Sequence, residues 1–145
     1  MKVLMGIGNE LRGDDAIGIY VARNFRKVGW KVIVAGQVPE DFTSEIKNLK
    51  PDILIMVDAA LMNLPPGEIR IVPAEKIPKV AFSTHGMPLS FFMEYIEEYV
   101  KRCLLIGIQP KSMEFGVGLS EEVKAAGDEL IQILKEEKYE NIDRL

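Results

Sequence analysis

Carboxylates and one imidazole are the side chains of this chain whose positions suggest chemistry. Asp14 and Asp15 follow a short apolar run near the amino terminus. Asp58 ends a second apolar run, and His85 is the only histidine among the 145 residues. Acidic and imidazole groups can bind a divalent metal, or they can transfer protons in general acid–base catalysis. What these residues do therefore depends on which elements of the fold hold them.

Short apolar runs predict the strands that position these residues. Four runs are continuously apolar, too short for helices and rich in valine and isoleucine, which is typical of strands buried on both faces of a parallel sheet. A fifth run alternates polar and apolar residues, which predicts an edge strand with one exposed face. The four buried runs and the edge run are residues 3–7, 32–35, 53–57, 104–108 and 68–72.

Segments with apolar residues at helical spacing separate these strands. We expect Gly29 to end the first helix and Ser120 to be the N-cap of the last one. This alternation predicts a single α/β domain over residues 1–145, with three α/β/α layers. Its twisted sheet would have five strands, which are mostly parallel, and one of the five would be an antiparallel edge strand. The helical stripes cover residues 17–28, 42–49, 89–100 and 123–134.

Ligands of such sheets bind beyond the carboxyl ends of the strands, near the point where the strand order reverses. We assign Asp14 to the N-cap of the first helix, which leaves Asp15 to face that crevice. Asp15, Asp58 and His85 would then form either an incomplete ligand set for a divalent metal or a metal-free acid–base group. The plainer alternatives are that Asp58 caps a turn and that His85 bonds to the backbone. Spacing alone leaves these alternatives open.

Composition and missing motifs exclude several classes of function. The 18 basic and 22 acidic residues give a net charge of −4, which argues against nucleic-acid binding. No apolar run approaches the ~18 residues of a membrane span. The third glycine of a dinucleotide fingerprint would fall at Leu11, and phosphate-loop and serine-elbow motifs are missing. We predict that Cys103, the single cysteine, is a core residue rather than a nucleophile, and we expect a cytoplasmic protein.

Three segments match the motifs of one family in chain order. Residues 6–18 read GIGNELRGDDAIG, residues 55–59 read IMVDA, and residues 83–89 read STHGMPL. Together they resemble the nickel–iron hydrogenase maturation endopeptidases, in the branch that serves hydrogenase 3-type enzymes. Residues 67–71 and 105–110 resemble that family's edge strand and last core strand.

This resemblance implies an endopeptidase that removes the C-terminal tail of the hydrogenase large-subunit precursor after nickel insertion. The family's metal contacts, which are also its catalytic residues, fall on Asp15, Asp58 and His85. The family is classified as aspartic-type, but we favour a metal-centred account in which the nickel is carried by the substrate and no organic cofactor takes part. The alternative is a non-proteolytic, nickel-sensing chaperone of the same subunit. We expect a monomer that does not insert into membranes.

Two loops bear on partner recognition. Many family members carry Asp-Gly-Gly-Thr after the second strand, whereas residues 35–40 of this chain read AGQVPE. Residues 61–66, LMNLPP, follow Asp58 closely and are strongly apolar. We predict that this second loop is an exposed surface that contacts the substrate. The alternative is that Leu61 and Leu64 pack under the edge strand.

Overall fold

The computed structural model describes residues 1–82 and 87–145. These residues form six strands and four α-helices, joined by short 3-10 turns. The strands are β1 (Lys2–Ile7), β2 (Trp30–Gly36), β3 (Ile53–Leu61), β4 (Ile69–Ile71), β5 (Ala81–Phe82) and β6 (Cys103–Ile108). The helices are α1 (Ile17–Arg23), α2 (Thr43–Leu49), α3 (Leu89–Ile96) and α4 (Glu121–Lys135). None of these helices is long and apolar enough to cross a membrane.

Five strands form the main sheet in the order β2-β1-β3-β6-β4. β1 lies parallel to both β2 and β3, β3 lies parallel to β6, and β4 is an antiparallel edge strand. The predicted sheet is therefore confirmed. The two-residue strand β5, which the sequence did not predict, pairs antiparallel with the end of β3. From β1 the chain crosses to β2 on one side, and from β2 it crosses back to β3 on the other side of β1. The carboxyl ends of β1 and β3 are therefore the switch point of the fold.

Helices cover both faces of this sheet, which confirms the three layers. Ile55 of β3 lies in a buried apolar cluster with Ile17 of α1 and Leu130 of α4. Its neighbour Met56 lies in a second cluster with Phe92 of α3. Successive side chains of a strand point to opposite faces, so β3 contributes to both clusters.

The first helix is shorter than predicted. α1 ends at Arg23, and the side-chain amide of the next residue, Asn24, donates a hydrogen bond of 2.8 Å to the carbonyl oxygen of Tyr20. The same carbonyl accepts the backbone N–H of Asn24 at 3.2 Å, so the side chain adds a second bond at the last turn of the helix. Phe25 lies beyond the helix but is still buried in the apolar cluster that contains Ile17, and its ring makes an edge-to-face contact with Trp30. Val28, the predicted last apolar position of the stripe, is 99% exposed.

The second strand is also less buried than predicted. β2 lies at one edge of the sheet, and Lys31 and Val34 are exposed. Its apolar run matched a strand buried on both faces, but an edge position leaves part of one face in solvent.

Candidate active site

Asp58 is a buried carboxylate inside β3, not the last residue of its strand as predicted. The strand continues to Leu61 because β6 and β5 supply backbone partners beyond Val57. Asp58 pairs with Gly107 of β6, whereas the last pair between β3 and β1 is Gly6–Val57. Asp58 therefore lies level with the carboxyl end of β1, at the switch point of the sheet. Its side chain has no solvent exposure.

Asp15 reaches the same edge from the loop between β1 and α1. It lies in the 3-10 turn Gly13–Ala16, which contacts β3, and it is fully buried. The backbone N–H of Asp15 donates to the carbonyl oxygen of Arg12 at 3.0 Å, and its own carbonyl accepts the N–H of Asn9 at 3.2 Å. The loop thus folds back on itself and holds Asp15 beside the strand that carries Asp58.

Glycines permit this close approach between the turn, the helix and the sheet. Gly8 has a φ of +152°, and a Cβ at this position would lie 2.0 Å from the carbonyl oxygen of Asp15. A Cβ at Gly18 would lie 2.2 Å from the carbonyl oxygen of Ile7 and 2.3 Å from that of Val57. Both positions exclude any larger residue. These two glycines of the first motif are therefore explained by close packing, Gly8 against the turn that carries Asp15 and Gly18 of α1 against β1 and β3.

Asp14 is not the N-cap of α1, so that prediction is wrong. The N-cap position of α1 is Ala16, and no side chain caps it. The Asp14 carboxylate instead accepts three backbone N–H groups, from Lys111 at 2.8 Å, Ser112 at 3.1 Å and Ser120 at 2.7 Å. It also accepts the Ser120 hydroxyl at 2.8 Å. Asp14 thus faces the loop that joins β6 to α4, which leaves Asp15 as the acidic residue of this turn on the β3 side.

The structure places two of the three predicted site residues on elements in contact. Asp15 lies on the turn that packs against β3, and Asp58 lies within β3. The third, His85, lies outside the described residues. Within residues 1–82 and 87–145, no three His, Cys, Asp or Glu side chains form a group that could hold a metal ion. The described part of the site is therefore a pair of buried carboxylates at the switch point.

Comparison with known proteins identifies the family. The model of the hydrogenase maturation protease family HycI matches residues 17–137. The chain belongs to the hydrogenase maturation protease family. The matched range includes Asp58 and begins two residues after Asp15, so the site is only partly inside it.

Individual relatives agree with this assignment. The chain is 40% identical to a Methanocaldococcus jannaschii protein that bears the provisional name of a hydrogenase maturation protease, over 92% of this chain and 86% of that protein. It is 34% identical to the hydrogenase 3 maturation protease of Escherichia coli (strain K12), over 92% and 88% of the two chains. The solution structure of the endopeptidase HycI from Escherichia coli superposes with a TM-score of 0.89 at 32% identity. The superposition covers 100% of this chain and 96% of that chain. These relatives support an endopeptidase role in hydrogenase maturation.

Gln109 is a residue of this maturation protease that the sequence analysis missed. It directly follows β6, is mostly buried, and its side-chain oxygen accepts the N–H groups of Met62 at 2.7 Å and of Leu64 at 3.3 Å. The side chain thus fixes the loop that leaves β3 three residues after Asp58. The sequence pattern could have indicated Gln109, because this polar residue directly follows a buried strand. The same pattern was used to predict Asp58 as a site residue.

The loop at residues 61–66 of the protease is buried or half-buried at two of its apolar side chains and exposed elsewhere. Met62 is buried, and Leu64 packs against the cluster that contains Met56 and Phe92. The prediction of an exposed apolar surface is therefore wrong for these two side chains. Leu61 fits it, since this residue is 47% exposed, and Pro65 and Pro66 are exposed as well.

Cys103 is not an available nucleophile in this protease. Burial raises the pKa of its thiol to about 12, because the desolvated thiolate is unfavourable. The reactive thiolate is therefore scarce at neutral pH. This result agrees with the prediction that Cys103 is a core residue.

Proposed function

We propose that this protein removes the C-terminal tail of the nickel–iron hydrogenase large-subunit precursor after nickel has been inserted. Two observations support the proposal: the chain belongs to the maturation protease family, and it holds two buried carboxylates at the switch point of its sheet. The second observation carries the chemistry. Asp15 and Asp58 have no solvent exposure, and buried carboxylates need a cation or several hydrogen-bond donors to offset desolvation.

In this proposal the nickel arrives as part of the substrate. Asp15, Asp58 and His85 bind it from the enzyme side, which leaves positions open for ligands that the precursor supplies. Because the metal is fixed in the precursor, its capture places the scissile bond at a defined distance from the two carboxylates. A precursor without nickel lacks this anchor, so the enzyme would not cut it early.

The attacking group in this proposal is water. The Cys103 thiol has a raised pKa. The Ser120 hydroxyl donates a hydrogen bond to Asp14, whose carboxylate is a weak base because it already accepts three backbone N–H groups. Neither group is therefore prepared as a nucleophile. A carboxylate of the site accepts one proton as the water oxygen bonds to the scissile carbonyl carbon. The C–N bond then breaks, and the proton passes to the leaving amine. The bound nickel supplies Lewis-acid polarisation near the carbonyl.

Intact mass measurement tests this function. The purified protein is incubated with nickel-loaded and nickel-free precursor, and the mass of each precursor is followed with time. We expect the loaded precursor to lose its tail and the nickel-free precursor to stay whole. Equal cleavage of both would refute nickel recognition. Binding of the loaded precursor without any loss of mass would favour the chaperone alternative.

A further inference from the structure

Three exposed apolar side chains lie on two adjoining loops near the candidate site. Leu11, Phe115 and Val117 are 64%, 70% and 47% exposed, and we call them the apolar rim. They belong to two loops, which a hydrogen bond of 3.0 Å from the N–H of Gly116 to the carbonyl oxygen of Leu11 joins directly. Contact between apolar surface and water is unfavourable. A group of such side chains in one place is typical of an interaction surface.

An open groove adjoins this apolar rim. It is shallow, has a volume of about 630 Å³, and both loops contribute to it. The carbonyl oxygen of Arg12, one of its lining residues, accepts the backbone N–H of Asp15. The groove therefore begins one hydrogen bond away from a site residue. Its lining consists of Asn9, Arg12, Met113, Glu114 and Phe115.

Arg12 gives this groove a defined chemistry. Arg12 is half-buried as a residue, and within residues 1–82 and 87–145 no carboxylate lies within ion-pairing distance of its guanidinium. Glu114 also lines the groove, but it is exposed and does not pair with Arg12. A guanidinium in such a position can bind a carboxylate through two parallel hydrogen bonds. The groove thus offers a cationic group next to apolar surface.

We propose that the groove and the apolar rim bind the precursor segment next to the cut as an extended peptide. An acidic side chain of that segment pairs with Arg12, and an apolar side chain packs against Leu11 and Phe115. The argument is charge complementarity at Arg12 together with the direct backbone connection to Asp15. This inference rests on the proposed function, since it names the part of the precursor that the same site holds.

Precursor binding, measured separately from cleavage, tests the inference. The double variant Leu11→Ser/Phe115→Ser and the single variant Arg12→Ala are each titrated with fluorescently labelled nickel-loaded precursor. We expect Kd to rise about tenfold in each, and KM to rise more than kcat falls, while Tm stays within about 2 °C of the wild type. Added salt should weaken binding by the wild type more than binding by Arg12→Ala, because salt screens the ion pair.

Matched controls come from the opposite end of the strands, where β2 begins. Val28 and Arg26 are exposed residues of the same classes, in the turn before the amino end of β2. The variants Val28→Ser and Arg26→Ala should bind the precursor as the wild type does.

Three results would overturn the inference. The first is an unchanged Kd in both groove variants, and the second is a loss of binding that only follows a lower Tm. The third is a concentration-dependent dimer that the rim variant loses while its Kd for precursor stays the same, since a second copy would then be the occupant. Failure of the proposed function is a separate result, namely wild-type protein that binds the precursor and never cuts it.

Discussion

Asp14 and Ser120 are joined by two hydrogen bonds across 106 positions of sequence. The backbone N–H of Ser120 donates to Oδ1 of Asp14 at 2.7 Å, and its hydroxyl donates to Oδ2 at 2.8 Å. Oδ2 also accepts two further backbone N–H groups of the same loop. One buried carboxylate thus organises the connection between β6 and α4. The next residue, Asp15, is held in place by the same turn, so adjacent aspartates have separate roles.

Replacement of Asp14 with alanine should therefore destabilise the fold. The change leaves four buried or half-buried donors without their acceptor, and we expect the free energy of unfolding to fall by about 3 kcal/mol. Urea unfolding measures this value. The Ser120→Ala variant removes one of the four bonds and should cost about 1 kcal/mol. Equal stability of Asp14→Ala and wild type would contradict this role.

The sequence predicted Asp15 and Asp58 as site residues because each follows a recognisable apolar strand. It did not predict the role of Asp14, because an acidic residue before a helix matches an N-cap locally, whereas its partners lie 97 to 106 positions away. The same limit applies to β3, whose extension past Asp58 depends on pairing with β5 and β6. Local periodicity identifies an element, but its end depends on which groups the rest of the fold brings near.

Exposure of the rim likewise required the tertiary structure. The loop that holds Met62 and the loop that holds Phe115 both contain apolar residues between strands and helices. In the first loop the side chains of Met62 and Leu64 are covered, and Gln109 accepts the backbone N–H groups of both residues. Sequence patterns did not distinguish these two outcomes.

Substitution of Gln109 with leucine should loosen the loop after β3. Leucine has a similar size but accepts no hydrogen bonds, so the N–H groups of Met62 and Leu64 lose their acceptor. We expect a loss of about 1–2 kcal/mol in unfolding free energy and faster amide exchange at these two positions. Gln132→Leu is a matched control, since Gln132 bonds only to the exposed Glu136. Unchanged exchange in Gln109→Leu would show that other contacts hold the loop.

The raised pKa of Cys103 predicts a change in stability at high pH. The folded thiol has a pKa of about 12 instead of 9.0, so the unfolded chain loses this proton first as the pH rises. The contribution is fully present below pH 9 and is lost as the pH rises toward 12. We expect the unfolding free energy of the wild type to fall more steeply between pH 9 and 11 than that of Cys103→Ala. The unfolding free energy is measured by chemical unfolding at each pH. Equal pH dependence in the wild type and Cys103→Ala would show that the thiol has the same pKa in the folded and unfolded chain.

Replacement of Asp58 with asparagine should stop tail removal without unfolding the protein. The amide has nearly the same shape but cannot carry the negative charge that the proposed metal contact and proton transfer require. We expect cleavage of nickel-loaded precursor to fall at least about 100-fold, as followed by intact mass. Asp52→Asn is the control, since Asp52 is an exposed carboxylate just before β3 that pairs with the amino terminus and Lys101. Full activity of Asp58→Asn would remove Asp58 from the proposed mechanism.

The free enzyme should bind nickel weakly. Asp15, Asp58 and His85 would supply two hard oxygen ligands and one imidazole, and nickel in the proposed complex also depends on ligands of the precursor. Calorimetric titration of the isolated protein with Ni²⁺ should give a Kd near the micromolar range, weaker than that of the precursor for the same ion. His85→Ala and Asp58→Asn should each reduce the heat of binding, while Asp52→Asn should not. Sub-nanomolar affinity in the isolated protein would mean that the enzyme carries its own metal, and nickel could then no longer report that the substrate has been loaded.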